Sequence, residues 1–113
     1  MSGSVVRVFD PDASFWGAAL EGREQGVGIS FFAIRTAKVG RGPGRHRHPY
    51  DEVILVRLGI VRFTIGMDQR DASAGEVVIV PAGTWHSFQN LGPGPMETLD
   101  IFANDAEVTE WPE

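Results

Sequence analysis

An all-β fold, an antiparallel sandwich or barrel of short strands, is the class this sequence predicts. Three observations predict it. Gly occurs fourteen times and Pro seven in 113 residues, scattered so that few windows of about twelve residues escape a helix breaker. Between the breakers lie short runs rich in Val, Ile, Phe and Leu, bounded by Gly, Pro, Asn or Asp. Several runs alternate with period two: Val61, Phe63 and Ile65 fall on one face, Arg62 and Thr64 on the other.

In chain order, residues 4–9 (SVVRVF) read as the first strand. Residues 14–24 (SFWGAALEGRE) have room for one turn of helix, and Gly17 and Gly22 argue against more. Residues 29–37, 52–58, 60–66, 76–80, 86–89 and 97–102 supply six further strands. Many short strands at close spacing are the signature of a sandwich or barrel. The tail, 104–113, is polar apart from Trp111 and is expected to pack loosely or against a partner.

At this length the chain is one domain, 1–113, able to bury a core without staples. Its net charge is −5, and Lys38 is its one lysine. Arg41, Arg45 and Arg47 cluster in a loop beside Asp51 and Glu52, which is no footprint for phosphates, so no nucleic-acid partner is expected. With no cysteine, thiolate ligands, disulfides and cysteine nucleophiles are excluded. The first residues carry no apolar leader, and the longest aliphatic runs, 53–56 and 77–80, are too short for a membrane. A cytoplasmic protein without a membrane partner is the expectation.

The chemistry concentrates around GRGPGRHRHPYDE, residues 40–52. In a strand, residues two apart point the same way, so His46 and His48 project together and Arg47 faces oppositely. Glu52 is also at an even offset, although Pro49 interrupts the ladder. Two imidazoles and a carboxylate form a borderline-hard site, better suited to Mn, Fe, Co, Ni, Cu or Zn than to Ca or Mg. The third histidine, His86, opens a strand after a Pro-Ala-Gly-Thr turn. A hairpin there would bring every histidine of the chain into one cluster.

These two segments resemble the two signature motifs of the cupin superfamily. The first, at 40–59, supplies Gly40, His46, His48, Glu52 and Gly59 at the motif's spacing. The second, at 75–90, supplies Gly75, Pro81, Gly83, His86 and Asn90. The short segment between them is similar to that of the smallest single-domain cupins. The resemblance implies an antiparallel double-stranded β-helix, the jelly-roll or cupin barrel. It implies one divalent first-row transition metal held by His46, His48, Glu52 and His86. Four protein ligands in an octahedral shell leave two positions for water or substrate. It further implies either a metal-dependent enzyme on a small organic molecule (dioxygenase, isomerase or lyase) or a non-catalytic binding or sensor module.

Around that centre, Phe88 shares the face of His86 and is expected to line the pocket, with Tyr50 at its mouth. Arg35, Arg62 and Asp100 each alternate with apolar neighbours, a pattern that usually sends the polar side chain outward. If they point inward instead, the arginines join the pocket and Asp100 is a candidate general base. Trp85 is expected to face away from His86, toward a subunit interface. Small cupins resemble homodimers that share edge strands, and residues 5–9 are the candidate strand to pair across subunits.

Overall fold

The computed structural model describes residues 3–113. Eight strands form two antiparallel sheets packed face to face. They are β1 (Trp16–Leu20), β2 (Ser30–Thr36), β3 (Glu52–Leu58), β4 (Ile60–Ile65), β5 (Asp68–Ser73), β6 (Val77–Val80), β7 (His86–Asn90) and β8 (Met96–Phe102). One sheet has the order β1-β2-β8-β3-β6 and the other β5-β4-β7. This is the all-β, double-stranded β-helix arrangement that the motifs imply.

Between the sheets lie Ile54 and Val56 of β3, Val61 and Phe63 of β4, Phe88 of β7 and Met96 of β8, all buried. Burying each such side chain contributes roughly 1.5–3 kcal/mol. That apolar half of the interior offsets the other half, where histidines and carboxylates are taken out of water. Gly59 makes the β3–β4 turn with φ +84°, and a Cβ there would run into the Pro95 carbonyl.

Three elements depart from the sequence reading. Residues 4–9 form no strand and pair with no strand of this chain. Where a helical turn was expected, residues 16–20 form β1 on β2, from Trp16 opposite Arg35 to Leu20 opposite Phe31. Pairing along a whole strand outweighs the local penalty of Gly17, and the helical turn is the short 3-10 helix Gly22–Gln25 that follows. Strand β5 carries no apolar run, since only Ala72 of DQRDAS is buried. It forms because the hairpin from β4 satisfies its backbone.

Candidate metal centre

The loop leading to β3 lies across the start of β7. His46 and His86 are directly opposed, and each donates its backbone N–H to the other's carbonyl, at 3.0 and 2.9 Å. Opposed residues of an antiparallel pair point to the same face, so both imidazoles enter the barrel. Gly83, at φ +78°, donates its N–H to the His48 carbonyl at 2.7 Å and fastens the second motif to the first. Glu52 opens β3 between Phe102 of β8 and Val80 of β6 and points to the same interior.

His46, His48, Glu52 and His86 thus meet, all buried, each offering one donor atom, with these atoms within 4.8 Å of one another. Bonds of about 2.1 Å around one ion place donors roughly 3–4 Å apart, so the spacing suits a single metal. Hydrogen bonding makes the same point. The Nδ1–H of each imidazole is donated to a backbone carbonyl: His46 to Gly44 at 2.6 Å, His48 to Val108 at 2.8 Å and His86 to Thr84 at 2.9 Å. That fixes the tautomer and leaves every Nε2 with a lone pair.

Glu52 Oε1 lies 3.3 Å from His48 Nε2 and 2.9 Å from His86 Nε2. All three atoms are buried without a hydrogen-bond partner. They are acceptors facing acceptors, an arrangement that a cation satisfies. Burial, and behind it the neighbouring His86 and His48, hold His46 below the ordinary histidine range. Burial also opposes charge on His48 and Glu52. Their mutual contact, with the Val108 carbonyl at His48 and His86 at Glu52, outweighs it, so His48 is raised and Glu52 lowered.

The cavity beside these donors has a volume of about 340 Å³. Phe15, Phe32, Ile34, Phe102 and Trp111 give it apolar walls, Arg41 adds a cation, and Asp100 projects into it. Asp100 is 3 % exposed and its Oδ1 has no partner. Burial, then the charge of Glu52, pushes its carboxyl well above the ordinary range. Its inward orientation departs from the outward one that alternation favours. β8 carries apolar residues on both faces, Met96 and Phe102 inside and Leu99 and Ile101 outside, so alternation there does not separate core from solvent.

The other pocket candidates fall elsewhere. Arg62 faces out and forms a two-pronged ion pair with Asp71 at 2.9 and 3.0 Å. Arg35 pairs with Glu97, also on the outer side. Phe88 packs on Phe63 in the core, ring centroids 5.2 Å apart, instead of lining the cavity of the metal donors. Trp85, expected at a subunit interface, carries the Arg45 and Arg47 guanidiniums of its own chain over its ring, at 5.3 and 4.5 Å from the centroid.

The tail is where the sequence reading missed most. Instead of packing loosely, 104–111 runs over the site as a strap. Glu110 and Arg47 exchange backbone hydrogen bonds at 2.9 and 3.0 Å and share a two-pronged side-chain pair. Trp111 stands 5.1 Å from the His46 ring. Tyr50, whose phenol burial pushes up to about 12, accepts the Val108 N–H at 3.0 Å. It thereby sets the Val108 carbonyl that takes the His48 proton. The only signal for this in the sequence is a lone aromatic residue in a polar tail.

Removing such an outer partner typically costs 10–100-fold in metal affinity. Tyr50→Phe is expected to weaken metal binding about tenfold, and deletion of residues 105–113 by up to about 100-fold, in competition with a chelator. Equal affinities for the three proteins would contradict the role of the strap.

The family model described as the cupin domain matches residues 33–102. The chain belongs to the cupin family. Over 81 residues this cupin is 32% identical to an uncharacterised protein of Streptomyces coelicolor, covering 72% of this chain and 73% of that protein. Its fold is similar to that of oxalate decarboxylase from Bacillus subtilis, with a TM-score of 0.77 and 19% identity over 93% of this chain. The cupin spans 29% of that longer chain. It is also similar to an uncharacterised double-stranded β-helix protein of Klebsiella pneumoniae, with a TM-score of 0.73 and 18% identity, covering 91% of this chain and 83% of the other. Likenesses at these identities concern the fold. Among the described residues, no helix is long and apolar enough to cross a membrane.

Proposed function

We propose that this cupin is a metal-dependent enzyme acting on a small organic molecule, with the metal as a Lewis acid in an isomerase or lyase reaction. The observation that carries this reading is Asp100, a buried carboxyl whose Oδ1 has no partner, in the cavity that His46, His48 and Glu52 also line. A ligand-capturing module has no need of a buried carboxyl with a free oxygen there, whereas proton transfer beside a polarised carbonyl does.

His46, His48, Glu52 and His86 would hold the ion, which when bound supplies polarisation of a carbonyl or carboxylate oxygen. Mn(II) is a first candidate, since the similar oxalate decarboxylase of Bacillus subtilis has Mn(II) centres. The apolar walls hold the carbon skeleton and keep water out, and Asp100 delivers or receives a proton at its Oδ1. The volume suits a compact substrate, with Arg41 favouring one that carries a carboxylate.

The test is a panel of small carboxylates, dicarbonyls and hydroxy acids with protein loaded with Mn, Fe, Ni or Zn, followed by Asp100→Asn. Turnover is expected to fall by about 10²–10⁴-fold in the variant with metal content unchanged. Oxygen uptake on catechols, diketones or thiols with iron loaded would point to a dioxygenase instead. Tight binding of a panel compound that is never converted would favour a sensor.

A further inference from the structure

One glycine on the wall of the cavity is not required by the fold. Strand β1 carries its bulk on the outer face, where Phe9 stacks on Trp16 with ring centroids 4.1 Å apart. The face it shares with Ile34 and Phe32 of β2 holds only Gly17 and Ala19. Ile34 and Phe32 line the cavity beside the metal donors, and Gly17 lines it with them, exposed. Glycine weakens a strand and is kept where a turn, a close backbone or a ligand requires it. Gly17 is not among the glycines with positive φ. A Cβ there would meet the tip of the Phe32 ring at 3.5 Å, an ordinary contact. Gly42 on the same wall differs, since a Cβ on it would strike the Phe88 carbonyl. Packing thus accounts for Gly42 and leaves Gly17 to a ligand.

We propose that Gly17 determines specificity: it keeps open a subsite for a flat apolar ring, so the substrate is an acid that carries an aryl group. This deepens the function proposed above and rests on it for the reacting end, placed at Asp100 and the metal donors. The walls around Gly17 fit a ring. Phe15, Phe32 and Ile34 flank it, and Trp111 closes the mouth from the strap. Phe15 is 50 % exposed and Trp111 59 %. Large apolar side chains left open together around a groove mark a place where a partner or ligand lies, and aromatic side chains favour offset or edgewise contact with another ring. Arg41, its guanidinium 5.0 Å from the Phe15 ring centroid, places a cation at that mouth and attracts an acid to it.

Length points to the same class. Gly17 on β1 and Asp100 on β8 are two strand spacings apart. The pairing of Gly17 with Ile34 and of Phe32 with Asp100 also sets them one two-residue step apart along the strands. At about 4.8 Å per spacing and about 3.4 Å per residue, their Cα atoms are roughly 12 Å apart. A three-carbon acid is too short to touch both, whereas the same acid with a phenyl group on its far carbon reaches. Volume agrees: about 340 Å³ is roughly the share of eleven water molecules in the liquid. A three-carbon acid would leave much of that space wet.

Isothermal titration calorimetry of the full chain loaded with Mn tests this without turnover, using phenylpyruvate against pyruvate and mandelate against lactate. The ring-bearing acid of each pair is expected to bind about 10-fold or more tighter. Gly17→Leu, which sets a side chain beside Phe32 in the cavity, is expected to weaken phenylpyruvate by about 10-fold or more and to leave pyruvate unchanged. Metal content is expected to match that of the unaltered protein, and Gly17→Ala is expected to melt at or above it. Phenylpyruvate bound tightly but never converted would remove the enzymatic reading and leave the aryl subsite standing. Equal affinities within each pair would overturn the proposal, as would a Gly17→Leu protein that binds phenylpyruvate as tightly as wild type. A Gly17→Ala protein that melts below wild type would overturn it too, since the glycine would then serve the fold.

Discussion

Replacing His86 by alanine is expected to remove tight metal binding and, in excess metal, about 10 °C of melting temperature. A ligand at 100 times its dissociation constant stabilises the folded state by about 2.7 kcal/mol, and each kcal/mol moves the melting point of a domain near this size by about 4 °C or more. The unaltered protein has that increment when loaded. His86→Ala keeps three donors and the backbone exchange with His46, but not the fourth ligand. The two proteins should therefore melt far apart with metal and close together in chelator. An equal rise in melting temperature on adding metal to both would show that His86 is not a ligand.

Acid should act in the same direction. An imidazole binds metal only when neutral, and His48, raised by Glu52 and the Val108 carbonyl against the effect of burial, takes its proton before His46 as the pH falls. His46, lowered chiefly by burial, resists longer. Metal content is expected to fall between about pH 7 and pH 4. A flat content over that range would tell against histidine ligation.

Glu52→Gln is expected to have opposite effects on the two forms of the protein. Without metal, Oε1 of Glu52 faces the Nε2 lone pairs of His48 and His86, and none of the three has a hydrogen-bond partner. A glutamine amide of the same shape can donate to His86 across that 2.9 Å gap. The metal-free variant should gain about 1 kcal/mol, the net worth of a buried hydrogen bond. With metal the variant loses an anionic ligand, and affinity should fall by about 100-fold or more. Chemical denaturation with and without metal reads both signs. A metal-free variant less stable than wild type, with unchanged affinity, would mean that Glu52 is a structural residue.

Much of the site is legible in the sequence because motif spacing carries it. A His-x-His pair with a glutamate four residues on, and a second histidine after a Pro-x-Gly turn, encode both the ligands and the turns that aim them. Asp100 was harder to place. Period-two reasoning assumes one wet face, and β8 buries polar Thr98 and Asp100 while Leu99 and Ile101 look outward. The strap was illegible for another reason. Its contribution at His48 comes from the Val108 backbone carbonyl, and any residue type would present the same group. β1 and β5 escaped notice because sheet neighbours stabilise them, not their own composition.

X-ray absorption spectroscopy of protein loaded with one equivalent of Mn or Zn asks most directly whether the four donors share an ion. The expected result is a shell of nitrogen and oxygen at about 2.0–2.2 Å with the outer-shell pattern of three imidazoles, one of them lost in His86→Ala. A shell of water and carboxylate oxygen without imidazole scattering, in a sample that nonetheless retains its metal, would contradict it.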